Sequence, residues 1–475
     1  MMLRLLEERK TSLVATRMPT RQAVPTRSIV VRRGLDLPIA GVPTQQIEEA
    51  RPVTRAALLG IDYPGLRPRL LVAEGDWVRE GQSLWIDKHR PGIRFAAPAG
   101  GYISAVVRGE KRRLIAVVIE LTDDRPLEFP MYDDRRLEML DEEEVRLVLQ
   151  TSGMWTALRM RPFGRIPSPD AIADALFVTA IDTHPLSARP SAVLRDRAWE
   201  FHCGLRVLSR LSVPRKFVCV APDDEIPGTD VPGWECATFA GPHPAGLPGT
   251  HIHFLSPVSR QRTAWYLGYQ DVVAIGRLFI TGVPDHTRVV AVGGPAAARP
   301  RLLRARVGAD LSQLLRNEFR EANPRVISGS VLGGRLLDPA APFLGRYHTQ
   351  ISILSGTVQR EFFGWLAPGF GKFSVSPVTV GAVLGKDRLF AMHAGRHGGK
   401  RAVFPIGNYE KVMPLDILPT FLLRALENGD LEESEALGCL ELEEEDLALC
   451  SFVCPGKQDY GTMLRGVLTA IERDE

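Results

Sequence analysis

Ala175-Leu176-Phe177-Val178-Thr179-Ala180 is a short apolar run with a single hydroxyl, and it ends in the loop Ile181-Asp182-Thr183-His184-Pro185-Leu186. A strand with one wet face alternates polar and apolar residues, so a continuous apolar run reads as a strand covered on both faces. Helical and strand patterns surround it. Asp141 with Glu144 three residues on forms a capping-box arrangement that opens a helix over 141–150. A helical stretch at 192–211 places Phe201, Leu205 and Leu208 on one face. Residues 217–220 read as a strand, 263–280 as a helix and 288–292 as a strand. This alternation predicts a Rossmann-like parallel α/β domain over 139–287.

Ligands of such sheets bind beyond the strand C-termini, usually on glycine-rich turns that cradle phosphate. The corresponding loops here are Ser152-Gly153-Met154-Trp155-Thr156-Ala157-Leu158-Arg159 and residues 180–186. Neither carries G-x-G-x-x-G or a Walker sequence. Bulky Met154, Trp155 and Leu158 would keep a pyrophosphate away from the backbone.

Upstream, residues 66–120 read as short strands divided by turns. Val72-Ala73-Glu74-Gly75-Asp76-Trp77-Val78-Arg79-Glu80-Gly81-Gln82-Ser83-Leu84 sets Gly75 and Gly81 where tight turns need positive φ. With Ala97-Pro98-Ala99-Gly100-Gly101-Tyr102-Ile103, the pattern resembles the barrel-sandwich hybrid of biotinyl and lipoyl domains, expected over 28–125. Asp87-Lys88 falls near the place where those domains present a modified lysine. The Met-Lys-Met or Asp-Lys-Ala setting of a true attachment hairpin is missing, so an ordinary surface lysine is expected. Residues 1–27, with six basic side chains between Arg4 and Arg27, read as a basic disordered extension. Downstream, 288–338 reads as a β-grasp (SLBB-like) module, 339–404 as strand-rich and 405–475 as a helical C-terminal domain. The fold class expected is therefore multidomain α+β / α/β.

Composition narrows the function. Apolar residues make up 45% of the 475 and charged residues 24%, the balance of a globular chain of roughly three or four domains. A net charge of +3 without aromatic residues among the basic clusters argues against nucleic acid. No stretch reaches the ~18–20 apolar residues of a membrane span; the best, 271–282, is short and broken by Arg277. Six unpatterned cysteines suggest a reducing compartment.

Three constellations could carry chemistry. Cys450-Ser-Phe-Val-Cys454-Pro455 is the tail of a C-x2-C-x2-C-x3-C-P iron–sulfur run whose front half is absent. The loop Gly241-Pro242-His243-Pro244-Ala245-Gly246-Leu247-Pro248-Gly249-Thr250-His251-Ile252-His253 holds three imidazoles; on a strand, His251 and His253 would share a face suited to zinc or iron. Loop histidines that contact backbone or a ligand are the commoner outcome. Residues 427–446 hold ten carboxylates and no basic side chain, either a solvated helical face or a docking segment for a basic partner centred on Glu443, Glu444, Glu445, Cys450 and Cys454.

Longer strings carry a more specific signal. Gly34-Leu35-Asp36-Leu37-Pro38-Ile39-Ala40-Gly41, the histidine loop, Pro405-Ile406-Gly407-Asn408-Tyr409-Glu410-Lys411-Val412-Met413-Pro414-Leu415-Asp416 and the acidic C-terminus through Cys454-Pro455-Gly456-Lys457 are four such strings. Together they resemble the NqrA family of the Na+-translocating NADH:quinone oxidoreductase, over about 28–475. That family is similar in domain order to the flavin- and NADH-binding subunit of respiratory complex I and to its relative in the Rnf complex. At the places of their nucleotide loop, flavin loop and cluster segment, this chain has 152–159, 180–186 and Cys439/Cys450/Cys454. The resemblance therefore implies a cofactor-free chain, peripheral on the cytoplasmic face of the bacterial inner membrane. It would serve assembly and quinone handling beside subunits B to F, with NADH, flavins and iron–sulfur handled on those subunits and ubiquinone as acceptor. The rival readings are a soluble metal-dependent enzyme built on His243, His251 and His253, and a carrier modified at Lys88.

Overall fold

Alternation along Ala175–Ala180 splits its side chains between two cores. Leu176, Val178 and Ala180 join one, and Ala175 and Phe177 join the other. The computed structural model, which describes residues 22–122, 125–356, 368–375, 379–383, 388–395, 401–403 and 405–474, makes this strand the pivot of a six-stranded sheet. Its order is Arg27–Val30, Glu235–Ala240, Arg215–Val220, Ala175–Ala180, Ala264–Gly268, Arg159–Arg161, and every pair except the last is parallel. From Ala175–Ala180 the chain builds outward in one direction, then returns to add Ala264–Gly268 on the other side. The order reverses at that point, which leaves a crevice beyond the two strand ends.

The helix expected at 263–280 is a correction: the chain forms the strand Ala264–Gly268 and then the helix Tyr269–Thr281. Trp265 and Leu267 face one core while Ala264 and Tyr266 face the other, which is strand periodicity. The single helix expected at 192–211 is two, Pro190–Leu194 and Ala198–Ser209, with Phe201, Leu205 and Leu208 buried as expected.

The barrel pairs a four-stranded sheet with a three-stranded one, and its strands start at Arg55–Leu59. Gly75 and Gly81 have φ of +90° and +85°, the turn conformation read from the sequence. The residues before Arg55 are shared out: Arg27–Val30 edges the parallel sheet, and Thr44–Glu49 edges a third sheet. That third sheet runs Arg335–Leu336, Pro324–Ser328, Gln350–Ser355, Thr287–Gly293, Arg301–Arg306, Thr44–Glu49. Gln350–Ser355 lies in its middle, so a module boundary at 338 cuts through one sheet. Parts of 339–404 lie outside the described residues. In 405–474, helices including Pro419–Asn428 and Tyr460–Asp474 close over their own core, with Leu440, Leu442, Leu447 and Leu449 buried inside it. Among the described residues, no helix is long and apolar enough to cross a membrane.

Candidate functional site: a charged cavity between domains

A cavity of about 910 Å³ occupies the crevice beyond Ala175–Ala180 and Ala264–Gly268. Ile181, Asp182 and His184 reach it from the first strand, and Gly268, Tyr269 and Gln270 from the second. Residues 329–335 and 346–350 of the third sheet and 443–446 of the C-terminal domain complete the wall.

Local structure dictates the charges. Arg159–Arg161 is a strand, so Arg159 and Arg161 point to one side and Met160 packs into the core on the other. Arg161 is 2% exposed; its Nη1 donates to Asp446 Oδ2 at 2.6 Å and to the Glu441 carbonyl at 2.5 Å. Arg159 Nη2 donates to Glu443 Oε2 at 3.0 Å, and the Tyr266 hydroxyl donates to the same carboxylate at 2.6 Å. Burial alone would raise the Glu443 pKa, but Arg159 and Arg161 overcome it and hold it below the usual range. Arg465 grips Glu444 with two hydrogen bonds of 2.6 and 2.7 Å.

His184 bridges two domains. Its Nδ1 lies 2.6 Å from Asp182 Oδ1 and its Nε2 2.8 Å from Glu445 Oε1. Burial disfavours the imidazolium, yet Glu445 and Asp182 outweigh it and raise the His184 pKa well above its ordinary value. Glu445, against its own burial, is drawn down to about 2 by His184.

The three loop histidines do not converge. Pro248–Leu255 is a helix, started by Pro248 at its first turn, so His251 and His253 stand about 200° apart around its axis and not on one strand face. His251 Nε2 meets the Ala245 carbonyl at 3.0 Å under Phe239. His253 Nδ1 meets Glu441 Oε2 at 2.8 Å, and its Nε2 accepts from the Asp416 N–H at 3.1 Å. His243 Nδ1 lies 3.2 Å from Thr183 Oγ1. Burial pushes both His243 and His251 down to about 3. Among the described residues, no group of three or more His, Cys, Asp or Glu is placed to hold a metal.

Cys450 and Cys454 are buried and free, and Cys454 Sγ sits 3.2 Å from the Tyr409 hydroxyl and 3.4 Å from that of Tyr460. Two thiols sealed among tyrosines in a domain core do not fit a four-thiolate cage. Lys88 is exposed beyond the strand Ser83–Asp87, its backbone N–H bonded to the Arg67 carbonyl. Sequence reading missed Arg159, Arg161 and Arg465 as partners of the acidic run. The R-x-R alternation at 159–161 was the available signal, though nothing in it names the partner.

Comparison with known proteins decides the family. The NqrA protein of the Na(+)-translocating NADH-quinone reductase from Histophilus somni strain 2336 is 50% identical over 446 residues, covering 94% of this chain and 100% of that protein. The chain belongs to the NqrA family. The NqrA proteins of Neisseria gonorrhoeae strain NCCP11945 and Pasteurella multocida strain Pm70 are 51% and 48% identical over the same share of each chain. Family profiles described as the NqrA N-terminal barrel-sandwich hybrid domain, the NqrA second alpha/beta domain and the NQRA C-terminal domain match residues 29–122, 140–284 and 289–338. Among solved structures, an NAD+-reducing nickel–iron hydrogenase in the air-oxidized state aligns with 49% of this chain and 52% of its own, at 14% identity and a TM-score of 0.34.

Proposed function

We propose that this chain works as the NqrA component of a Na+-translocating NADH-quinone reductase, peripheral to the membrane and free of its own redox group. One observation carries the reading: the relationship to NqrA proteins runs over their entire length at about half identity, so no segment of theirs is left unmatched. No described helix is long and apolar enough to cross a membrane; in this reading the chain attaches through partner subunits, B to F, at the cytoplasmic face. NADH, flavin and iron–sulfur chemistry then belongs to those partners, with ubiquinone as acceptor.

The wall of the large cavity bears on the division of labour. Quinone rings favour apolar slots with one or two donors, whereas this wall is dense with paired guanidinium and carboxylate groups. We assign the ion pairs on this wall to holding the α/β domain and the C-terminal domain together. Removal of this chain from the complex is expected to abolish quinone reduction and Na+ transport in membrane vesicles while partner subunits retain NADH oxidation with an artificial acceptor; adding it back restores both. Retention of quinone-dependent Na+ transport without the chain would sink the proposal, and an iron–sulfur or flavin spectrum in the purified chain would sink its cofactor-free part.

A further inference from the structure

The hairpin joining the barrel strands Gly101–Arg108 and Leu114–Leu121 ends in Arg108-Gly109-Glu110-Lys111-Arg112-Arg113. Four cations and one carboxylate give this tip a net charge of +3, equal to that of the whole chain. Its turn closes with the Arg113 N–H on the Glu110 carbonyl at 3.1 Å, and both central residues take positive φ, Lys111 at 51° and Arg112 at 60°. Two such angles in succession make a type I′ turn, for which Asn-Gly is the favoured filling because a Cβ is disfavoured at both positions. Lysine and arginine there work against the local backbone. They gain nothing for it inside the protein: among the described residues none of the four cations makes an ion pair, and the Arg108 Nη1 bond to the Arg112 carbonyl at 3.2 Å stays within the tip. A local rule broken twice running, without internal return, points to side chains kept for what they meet outside.

All four cations are exposed, none of the six residues is buried, and among the described residues no large apolar side chain is exposed between Tyr102 and Met131. The tip therefore suits an anionic partner met by charge alone. A protein partner is held mainly by aromatic or aliphatic anchors seated in pockets, and a single-stranded nucleic acid by stacking platforms; the tip offers neither. A layer of anionic lipid headgroups is broad and fluid and asks only for clustered cations. We propose that this hairpin tip docks on anionic phospholipid headgroups through Arg108, Lys111, Arg112 and Arg113. The chain then has a membrane contact of its own beside its attachment through partner subunits, an inference that rests on the peripheral placement proposed above. Because the tip carries as much net charge as the entire chain, the attraction is local and sets the orientation of the barrel on the membrane.

The test sediments the full chain with vesicles of phosphatidylglycerol and phosphatidylcholine, and with phosphatidylcholine alone. Binding is expected to the first only, and to fall as added salt screens the charges. Each cation at an anionic surface is expected to contribute roughly fivefold in partitioning. Lys111→Asn with Arg112→Gly installs the favoured turn and removes two cations, so binding should weaken roughly 25-fold while the urea midpoint does not fall. Arg113→Gln alone should weaken it roughly fivefold. Basic residues elsewhere, those before residue 22 included, are the same in every variant, so only the difference is read. No binding to phosphatidylglycerol vesicles, equal binding to neutral ones, or a double variant that binds as before overturns the inference. Each of these leaves the family relationship standing, because that rests on the full-length match. A double variant that binds vesicles unchanged but no longer co-purifies with partner subunits would give the tip to an acidic protein surface, and overturns the inference too.

Discussion

Residues 427–435 and 441–446 are two halves of one acidic run, each with five carboxylates, and they have opposite surroundings. In the first half Glu427, Asp430, Glu432 and Glu433 are exposed; Asp430 caps a helix by accepting from the Glu433 N–H, and Glu435 pairs with Arg260 at the surface. In the second half every carboxylate has an internal partner: His253 for Glu441, Arg159 and Arg161 for Glu443, Arg465 for Glu444, His184 for Glu445 and Arg161 for Asp446. Composition does not separate the halves. What separates them is whether the fold delivers a cation to every carboxylate or, as in the first half, to Glu435 alone among the described pairs, and the second half's cations come from as far as 285 residues away along the chain.

The sharpest way to break this contrast is Arg161→Ala. It leaves Asp446 and part of Glu443 buried without their partner, a loss expected to cost about 3–5 kcal/mol in urea unfolding. A cost below about 1 kcal/mol would place the second half with the solvated first. Gly249→Ala probes the same lock from outside, because its Cβ would lie 2.3 Å from Asp446 Oδ1 and 2.7 Å from Arg161 Nη1. About 1–3 kcal/mol of destabilisation is expected, and a double-mutant cycle with Arg161→Ala should be strongly non-additive.

The His184 bridge gives a pH signature. Its folded pKa is raised, so its contribution is complete below the unfolded value near ~6.5 and is lost as pH climbs through the higher folded value. Glu445 is lowered to about 2, so its contribution is present above the unfolded value near ~4.3 and is lost as pH falls toward 2. Stability of His184→Gln measured across pH 6–10 should therefore flatten the alkaline decline seen in the unaltered chain; an identical decline would remove His184 from the account. At the small end, Glu432→Gln with Glu433→Gln should change stability by no more than about 0.5 kcal/mol. A larger effect would show that Glu432 or Glu433 has a partner as Glu435 does.

How much of this was legible beforehand depended on the range of the signal. Ala175–Ala180 was readable because a run covered on both faces is written into consecutive residues. Ala264–Gly268 was not, because it passes straight into an equally apolar helix at Tyr269, and apolarity without alternation does not distinguish strand from helix. Pro248 was a helix-start signal that, read as such, would have kept His251 and His253 off a strand. The charged cavity was hidden for another reason: its walls join residues near 160, 184, 271, 346 and 445, and only the tertiary fold brings them together.

The sharing-out of the first described residues has a consequence for synthesis. Thr26 bonds to Cys236, 210 residues away, and Glu49 aligns with Arg304. Arg27–Val30 and Thr44–Glu49 therefore emerge from the ribosome before the strands they must join exist. Until translation passes those positions, two strand edges stay open, the condition under which nascent chains pair wrongly or recruit chaperones. The barrel that follows them, whose strands all lie within 55–121, can close before either partner strand has been made. Arg27–Val30 and Thr44–Glu49 can thus be fixed in place only after the barrel that follows them in the chain has been made.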